Sequence, residues 1–266
     1  MKQTLASIIS NDEVMPGVHL IWLESPQIAS EAKPGQFVMV YCGEECLLRR
    51  PLSIHLVEAS KVAFLFTVVG KGTYWLSQRQ AGNNIDLLGP LGNSYFIHPA
   101  SHNLLLVAGG IGIAPLRFLA QEGMYQGCSV RLLLGASTAS QLYSKYFLPP
   151  EAESTVATED GSAGKKGMIT DILPDFAIWA DQIFACGPVS MYHTIAIHKQ
   201  ELLKKPVQIS LEVRMGCGLG VCYGCTVKTK NGLKQVCKDG PIFDLDDILW
   251  EELDYNDRGK EVILKW

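Results

Sequence analysis

The hydrophobic pattern of the chain changes character about a hundred residues from its amino terminus. Before that point, short runs rich in β-branched and aromatic residues alternate with turn residues, and five such runs can be read: 17–25, 35–42, 51–58, 61–69 and 83–92. Short strands at this spacing are typical of a small antiparallel barrel. The pattern therefore predicts an antiparallel β-barrel domain over residues 1–98.

From residue 99 onward, continuous apolar runs alternate with segments of helical periodicity. The runs 103–110, 129–137, 154–160 and 181–188 are predicted strands, and residues 114–126 and 189–203 are predicted helices. Continuous apolar strands that alternate with helices indicate a doubly wound parallel sheet. We predict this second domain over residues 99–205, with 181–188 as its last strand.

Residues 206–266 form a predicted third, smaller domain. It ends in an acidic run, Asp244 to Asp254, which we interpret as a solvated helix face, with a partner interface as the alternative. The final Trp266 is interpreted as a packing residue.

Composition narrows the possible partners. The 266-residue chain is 47% hydrophobic and has a net charge of −4, with its Lys and Arg residues dispersed. No basic patch indicates binding to nucleic acid or anionic lipid.

The longest apolar stretch, 104–116, is interrupted by glycines and a proline and is shorter than the roughly 20 residues that span a bilayer. The amino terminus lacks the apolar core of a signal peptide. We therefore expect a cytoplasmic protein.

Half of the eight cysteines lie in one short stretch. Cys217, Cys222, Cys225 and Cys237 have the spacing C-x4-C-x2-C-x11-C, which is the plant-type [2Fe-2S] pattern. Zinc sites more often pair two short C-x2-4-C motifs. A [2Fe-2S] cluster is the prediction, and zinc and four free thiols are the alternatives. Cys42, Cys46 and Cys128 are interpreted as buried or idle thiols.

Two further motifs lie at strand ends of the predicted sheet. Gly109, Gly110 and Gly112 fall where the first strand turns into the first helix, so a phosphate-bearing ligand could approach the backbone there. Cys186, Gly187 and Pro188 follow the strand 181–188 at the edge where such sheets bind ligands. We predict a nucleotide site at both motifs. The alternatives are a tight turn at the glycines and a small buried residue at Cys186.

The barrel region contributes two weaker signals. The sequence R-R-P-L-S ends at Ser53 near a strand start, and G-K-G-T places Gly72 and Thr73 where a helix amino terminus would favour a pyrophosphate. An ordinary strand and an ordinary turn are the alternatives.

The order of these motifs resembles the ferredoxin-NADP reductase superfamily. When residues 217–237, here called the cysteine segment, are included, nearly the whole chain is similar to the electron-transfer subunits of NAD-dependent (type B) dihydroorotate dehydrogenase. The resemblance implies three cofactors: FAD, a [2Fe-2S] cluster on the four cysteines, and NAD. It places FAD against Arg50, Pro51, Leu52, Ser53, Leu65, Phe66, Thr67, Gly72 and Thr73. Because Leu52 stands where the superfamily usually has tyrosine, aromatic stacking from this position is excluded.

The resemblance also implies the function. Electrons taken from dihydroorotate by the FMN of a separate catalytic subunit would pass through [2Fe-2S] and FAD to NAD, in a complex of two of these chains with two catalytic chains. NAD is preferred over NADP because residues 135–145 contain no arginine for a 2′-phosphate, although Lys145 could serve. The alternatives are a subunit of a ferredoxin-NAD(P) reductase or sulfide dehydrogenase, and a zinc-stabilised binding module without catalysis.

Overall fold

The computed structural model describes residues 2–199, 204–252, 254–255 and 262–263. All structural statements below concern these residues. Trp266 lies outside them, so its predicted packing role has no structural account.

The first part of the chain is a closed antiparallel barrel. Its strands are β1 (Lys2–Met15), β2 (Val18–Glu24), β3 (Phe37–Val40), β4 (Arg50–Glu58), β5 (Lys61–Thr67) and β6 (Asn84–Leu91). They are hydrogen-bonded in the order β1-β2-β5-β4-β3-β6, and β6 returns to β1. The predicted barrel is confirmed.

The sequence pattern did not predict β1, although it closes the barrel. This strand pairs with β2 along its second half and with β6 along its first half. Of its residues only Ala6 and Ile8 are buried, while six are exposed and six are half-buried. Its polar sequence therefore lacks the alternation that marks a strand with one buried face.

The second part is a seven-stranded sheet. Its strands are β7 (Asn103–Gly109), β8 (Ser129–Ala136), β9 (Glu153–Thr158), β10 (Lys165–Lys166), β11 (Gln182–Cys186), β12 (Val207–Ser210) and β15 (Ile242–Asp244). The order is β10-β9-β8-β7-β11-β12-β15. The four strands predicted from apolar runs are confirmed.

Two features of this sheet correct the prediction. The strand over residues 181–188 is not the last one, because β12 and β15 extend the sheet beyond residue 205. The sheet is also mixed, since β15 runs antiparallel to β12 whereas the other neighbours are parallel. The segment that carries the four cysteines is the connection between these two antiparallel neighbours.

The remaining elements are short. Two hairpins, β13 (Thr226–Thr229) with β14 (Gly232–Gln235) and β16 (Asp254–Tyr255) with β17 (Val262–Ile263), lie outside the main sheet. The α-helices are α1 (Pro26–Ala29), α2 (Lys71–Ser77), α3 (Ile113–Tyr125), α4 (Leu173–Ala177), α5 (Val189–His198) and α6 (Val236–Asp239). Single 3₁₀ turns span Gly110–Gly112, Ala139–Gln141, Lys145–Phe147, Ile169–Asp171, Leu245–Asp247 and Trp250–Glu252.

The acidic run is not a solvated α-helix where the structure describes it. It begins at the end of β15 and continues as two 3₁₀ turns. Asp246 forms an ion pair with Lys199, the carboxylate of Asp247 accepts from the side-chain amide of Asn231, and the backbone carbonyl of Asp247 accepts from the N–H of Lys230. These contacts join this run to the end of α5 and to the turn of the β13–β14 hairpin.

The hydrophobic core crosses the boundaries between the predicted domains. One core unites Phe37, Met39 and Leu91 of the barrel with strands β7, β11 and β12 and with Cys225 and Cys237 of the cysteine segment. A second joins the outer face of β4 and β5 to helix α3 and the sheet. In the described part of the chain, none of the helices has the length and apolarity needed to cross a bilayer.

Candidate functional site

The structure brings the four cysteines of the segment together as two pairs. The thiol of Cys222 lies within hydrogen-bonding reach of Cys217, and the backbone N–H of Cys237 donates to Sγ of Cys225 at 3.4 Å. Cys225 and Cys237 are buried beside each other, whereas Cys217 is half-buried and Cys222 is exposed. The pairs are near enough for Cys217 to act electrostatically on Cys237.

Backbone N–H groups of the loop point at these sulfurs. Leu219 and Val221 donate to Sγ of Cys217 at 3.3 and 3.4 Å, and Gly220 donates to Sγ of Cys237 at 3.1 Å. Burial opposes ionisation of Cys217, but the surrounding N–H donors outweigh it and lower its pKa. Burial raises the pKa of Cys237, and the neighbouring Cys225 thiol raises it further.

Glycines let the loop fold closely around the sulfurs. Gly218 and Gly220 have φ angles of +74° and +75°, a region that side-chain-bearing residues rarely adopt. A Cβ on Gly218 would lie 2.5 Å from the side chain of Met39, and one on Gly216 would lie 3.2 Å from Sγ of Cys222. The loop therefore packs directly on the barrel.

Two sulfur pairs fit a two-iron cluster better than a single ion. In the described residues, no three side chains of His, Cys, Asp or Glu converge as ligands of one metal ion. Each iron of a [2Fe-2S] cluster takes two protein ligands, and thiolate sulfur is the ligand that such clusters use. The arrangement Cys217 with Cys222 and Cys225 with Cys237, under N–H donors, matches that need.

The two predicted nucleotide motifs meet at the carboxyl ends of β7 and β11. A Cβ on Gly112 would lie 1.9 Å from the carbonyl oxygen of Cys186, and a Cβ on Gly109 would lie 2.8 Å from Cδ of Pro188. Gly110 has a φ of +56°, and nothing lies within 4 Å of where its Cβ would be. The loop is thus packed backbone to backbone on one side and open on the other, as a phosphate-binding turn requires.

Cys186 is fully buried behind this turn. Its thiol lies 3.8 Å from a carboxylate oxygen of Glu212, and burial followed by that carboxylate raises its pKa. The hydroxyl of Tyr192 accepts from the N–H of Gly187 at 3.0 Å and donates to the carbonyl of Ser210 at 2.6 Å. Tyr192 therefore fixes the turn at Cys186, Gly187 and Pro188 to strand β12.

The predicted FAD residues of β4 and β5 divide between the two faces of the barrel wall. Leu52 and Phe66 lie in the barrel core, so their side chains face inward. Leu65 packs in the core shared with the sheet, and Ser53 and Thr67, at the alternate positions of the same strands, are half-buried. At Leu52 and Phe66 only the backbone could face a flavin; the FAD assignments themselves remain predictions.

The start of helix α2 lies beside the start of β4. A Cβ on Gly72 would be 2.8 Å from Nε of Arg50, so the guanidinium rests on the glycine. The hydroxyl of Thr73 accepts from the N–H groups of Val69 and Gly70, at 2.9 and 3.2 Å. Arg50 and the first turn of α2 form one positively charged corner, which fits an anionic group.

Sequence reasoning missed a buried contact between barrel and sheet. Nδ1 of His55 lies 2.8 Å from the carbonyl oxygen of Ala114, and Nε2 lies 2.8 Å from the hydroxyl of Tyr143. Burial, with Arg117 nearby, lowers the pKa of His55 to about 4. A histidine in an apolar strand gives no sign of its partners in the sequence. Glu212 was missed because it follows β12, a strand that the sequence pattern did not predict.

Cys42 and Cys46 are buried and Cys128 is half-buried, in keeping with idle thiols. Burial raises the pKa of Cys42 to about 11.

Comparisons with known proteins agree with this geometry. Residues 212–249 match the family model described as the iron-sulfur cluster binding domain of dihydroorotate dehydrogenase B. The fold is shared with a ferredoxin NADP+ reductase from Neisseria gonorrhoeae, at a TM-score of 0.62 and 18% identity over 76% of this chain and 92% of that one. Fold and site together define an iron–sulfur protein built on a ferredoxin-reductase framework.

Full-length relatives define the family. The chain is 40% identical to the dihydroorotate dehydrogenase B (NAD(+)) electron transfer subunit of Desulforamulus reducens, over 92% of this chain and 98% of the relative. It is 36% identical to the subunit of the same name from Clostridium acetobutylicum, over 96% and 99%. The chain belongs to the family of dihydroorotate dehydrogenase B electron transfer subunits.

A solved structure of related function is also similar. A chain from the structure of an NADH-dependent reduced ferredoxin-NADP oxidoreductase, studied for flavin-based electron bifurcation, matches at a TM-score of 0.85. The identity is 32%, over 94% of this chain and 91% of that chain.

Proposed function

We propose that the chain passes electrons from the FMN of a dihydroorotate dehydrogenase catalytic subunit to NAD+, with a [2Fe-2S] cluster and FAD as its own cofactors. The observation that carries this is the pairing of four cysteines under N–H donors on a segment that shares its core with both the barrel and the sheet. When bound, a flavin exchanges a hydride with a nicotinamide and single electrons with an iron–sulfur cluster.

The cysteine segment supplies the ligands and the rigidity of the cluster site. Cys217 and Cys222 would hold one iron, and Cys225 and Cys237 the other. Because Cys225 and Cys237 belong to the main core, that half of the site is fixed relative to β7 and β11. The loop N–H groups stabilise negative charge on the sulfurs.

The barrel and the sheet would hold the other two cofactors. Ser53 and Thr67 face the sheet side and can donate hydrogen bonds to the flavin ring, while Arg50 and the first turn of α2 neutralise its phosphates. Gly110 leaves the β7 turn open for the nucleotide. Residues 1–98, 99–205 and 206–266 serve as FAD, NAD and cluster domains in this proposal, with β12 and β15 shared between the last two.

Charge near the sheet edge supports NAD over NADP. The hydroxyl of Ser137, directly after β8, donates to a carboxylate oxygen of Glu159 at 2.8 Å, directly after β9. In doubly wound folds an acidic group at this edge binds the ribose hydroxyls, and it would repel a 2′-phosphate.

We assign contact with the partner subunit to the exposed face of the cysteine segment. Val221 is 73% exposed and Tyr223 63% exposed, although both are apolar or aromatic and flank Cys222. Electron entry into the cluster needs a partner close to this cysteine, and apolar side chains beside it favour protein contact over water. We propose the FMN-bearing catalytic subunit as that partner, in a complex of two chains of each kind in the cytoplasm.

Anaerobic co-expression with the catalytic subunit tests the proposal. The purified complex is expected to contain FAD, FMN, iron and sulfide, and to form NADH when dihydroorotate and NAD+ are added. A coloured complex that reduces NAD+ from reduced ferredoxin, but not from dihydroorotate, would instead support the second candidate, a ferredoxin-NAD(P) oxidoreductase, which the 32% identity to such a protein favours. A colourless zinc protein would contradict both.

A further inference from the structure

One buried side chain next to the cysteine pairs has an unused donor. The side-chain nitrogen Nε2 of Gln235 is shielded from solvent and has no hydrogen-bond partner among the described residues. Gln235 as a whole is 8% exposed. A carboxamide nitrogen carries two N–H donors, and leaving them buried and unpaired is costly, so a partner is expected.

The position of Gln235 indicates what that partner is. Gln235 lies opposite Thr226 in the β13–β14 hairpin, so it is next to Cys225, which directly precedes β13, and it comes two residues before Cys237 in the chain. Its Oε1 lies 3.0 Å from where a Cβ on Gly220 would be, and the N–H of Gly220 donates to Sγ of Cys237 at 3.1 Å. The carboxamide is therefore part of the wall that surrounds the second cysteine pair.

The backbone of Gln235 is held independently of this carboxamide. Its N–H donates to a carboxylate oxygen of Asp239 at 2.7 Å, and the next residue, Val236, donates to the carbonyl of Cys225 at 3.0 Å. These bonds fix the hairpin end without help from the side chain. The buried amide is therefore not required to shape the loop, and its donors are available to a ligand.

We propose that the side-chain amide of Gln235 donates a hydrogen bond to a sulfur of the bound iron–sulfur cluster, on the side of Cys225 and Cys237, and so raises its reduction potential. This rests on the proposed function, because it requires the cluster to be present. Reduction adds negative charge to the cluster, and a donor aimed at sulfur stabilises the charged state more than the oxidised one. In this proposal Gln235 contacts the cluster directly and sets its reduction potential.

The variant Q235L tests this in the co-expressed complex. Leucine keeps the volume of the side chain and removes both donors. The reduced cluster should become about tenfold less favoured, which is a fall in midpoint potential of about 59 mV for one electron. Iron content should stay at the wild-type value, and the unfolding midpoint of the iron-free chain should not fall, because no protein bond is lost.

The variant T226V is the matched control. Thr226 faces Gln235 across the hairpin, and its hydroxyl donates to the carbonyl of Tyr223 at 2.7 Å, so its donor is already used. Its midpoint potential should remain that of the wild type. A Q235L complex with full iron content and an unchanged potential would overturn the proposal.

A spectroscopic measurement covers the case in which Q235L fails to fold. In the wild-type complex, labelling glutamine side chains with ¹⁵N should give a nitrogen coupling in the electron paramagnetic resonance of the reduced cluster, and an exchangeable proton coupling that is lost in D₂O. Absence of the ¹⁵N coupling would overturn the proposal. Absence of iron or of the cluster signal itself would instead contradict the proposed function.

Discussion

At the scale of single residues, Cys222 offers a direct test of the cluster ligands. Replacing it by serine should remove the cluster, because a serine hydroxyl is a poorer ligand than a thiolate for iron. Cys222 is exposed, so the substitution leaves the hydrophobic core unchanged. We expect the purified C222S chain to lose most of its iron and its visible cluster absorbance while keeping FAD. The C128S variant, at a half-buried cysteine outside the loop, should keep both, and iron-replete C222S would contradict the ligand assignment.

The cluster ligands could be predicted from the sequence because they lie close together in it. The four cysteines fall within 21 consecutive residues, Cys217 to Cys237, and the structure places them in two pairs. Leu52 and Phe66 show the opposite case, because the face of a strand depends on its register within the barrel. Gln235 and Glu212 depend on contacts between distant segments, which no local pattern reveals.

At the scale of elements, continuous apolar runs predicted α3 and the strands β7, β8, β9 and β11, whereas β1, β12 and β15 escaped prediction. Only two of the 14 residues of β1 are buried, and β12 and β15 have four and three residues. A strand with few buried residues, or a very short strand, leaves little hydrophobic pattern in the sequence. The sequence predicted a nucleotide site at the turns after β7 and β11, and the structure brings these two turns into contact.

That contact gives a prediction for the turn after β7. A methyl group at position 112 would overlap the carbonyl of Cys186, so G112A must push two backbone segments apart. We expect a loss of about 4 kcal/mol or more in the free energy of unfolding, measured by urea denaturation.

The neighbouring variant G110A serves as the comparison. Its methyl group would meet no atom within 4 Å, and only its φ of +56° opposes the change, so about 1–2 kcal/mol should be lost. Equal losses of unfolding free energy in G112A and G110A would show that the packing of the turn against Cys186 does not contribute to stability.

At the scale of the whole molecule, barrel, sheet and cysteine segment are joined by shared cores and by the contact at His55. The carbonyl of Ala114 can only accept, so Nδ1 of His55 carries the proton, and Nε2 accepts from the hydroxyl of Tyr143. Burial disfavours the charged, protonated ring, and the positive charge of the nearby, buried Arg117 disfavours it further.

Stability should therefore depend on pH through His55. Its pKa is near 6.5 in the unfolded chain and about 4 when folded, so its contribution is complete above pH 6.5 and is lost as pH falls through 4. The shift of about 2.5 pKa units corresponds to at most about 3–4 kcal/mol. Urea denaturation of the wild type between pH 7 and 4 should show this fall, and H55Q should lack that part of it. The exposed-site variant H102Q should behave as the wild type; a wild-type slope in H55Q would refute the assignment.

Assembly with the catalytic subunit should depend on the exposed loop. V221D places a charge on a side chain that is 73% exposed and beside Cys222, so it should raise the dissociation constant of the complex at least about tenfold without loss of iron. I178D changes an equally apolar residue, 84% exposed, after α4 on the sheet half. Gel filtration of each variant with the catalytic subunit measures complex formation. If V221D and I178D bind the catalytic subunit equally well, the interface does not include Val221.

The pairing of β12 with β15 also bears on whether the cysteine segment could be transplanted. Ser210 and Ile242 are direct neighbours across that pair, so a short connector could in principle replace everything between them and leave a plain hairpin. The shared hydrophobic core prevents so simple an exchange. Residues of the barrel and of the cysteine segment pack together in it: Phe37, Met39 and Leu91 with Cys225, Val227 and Val236. Any graft of this module onto another reductase must therefore carry matching barrel residues with it.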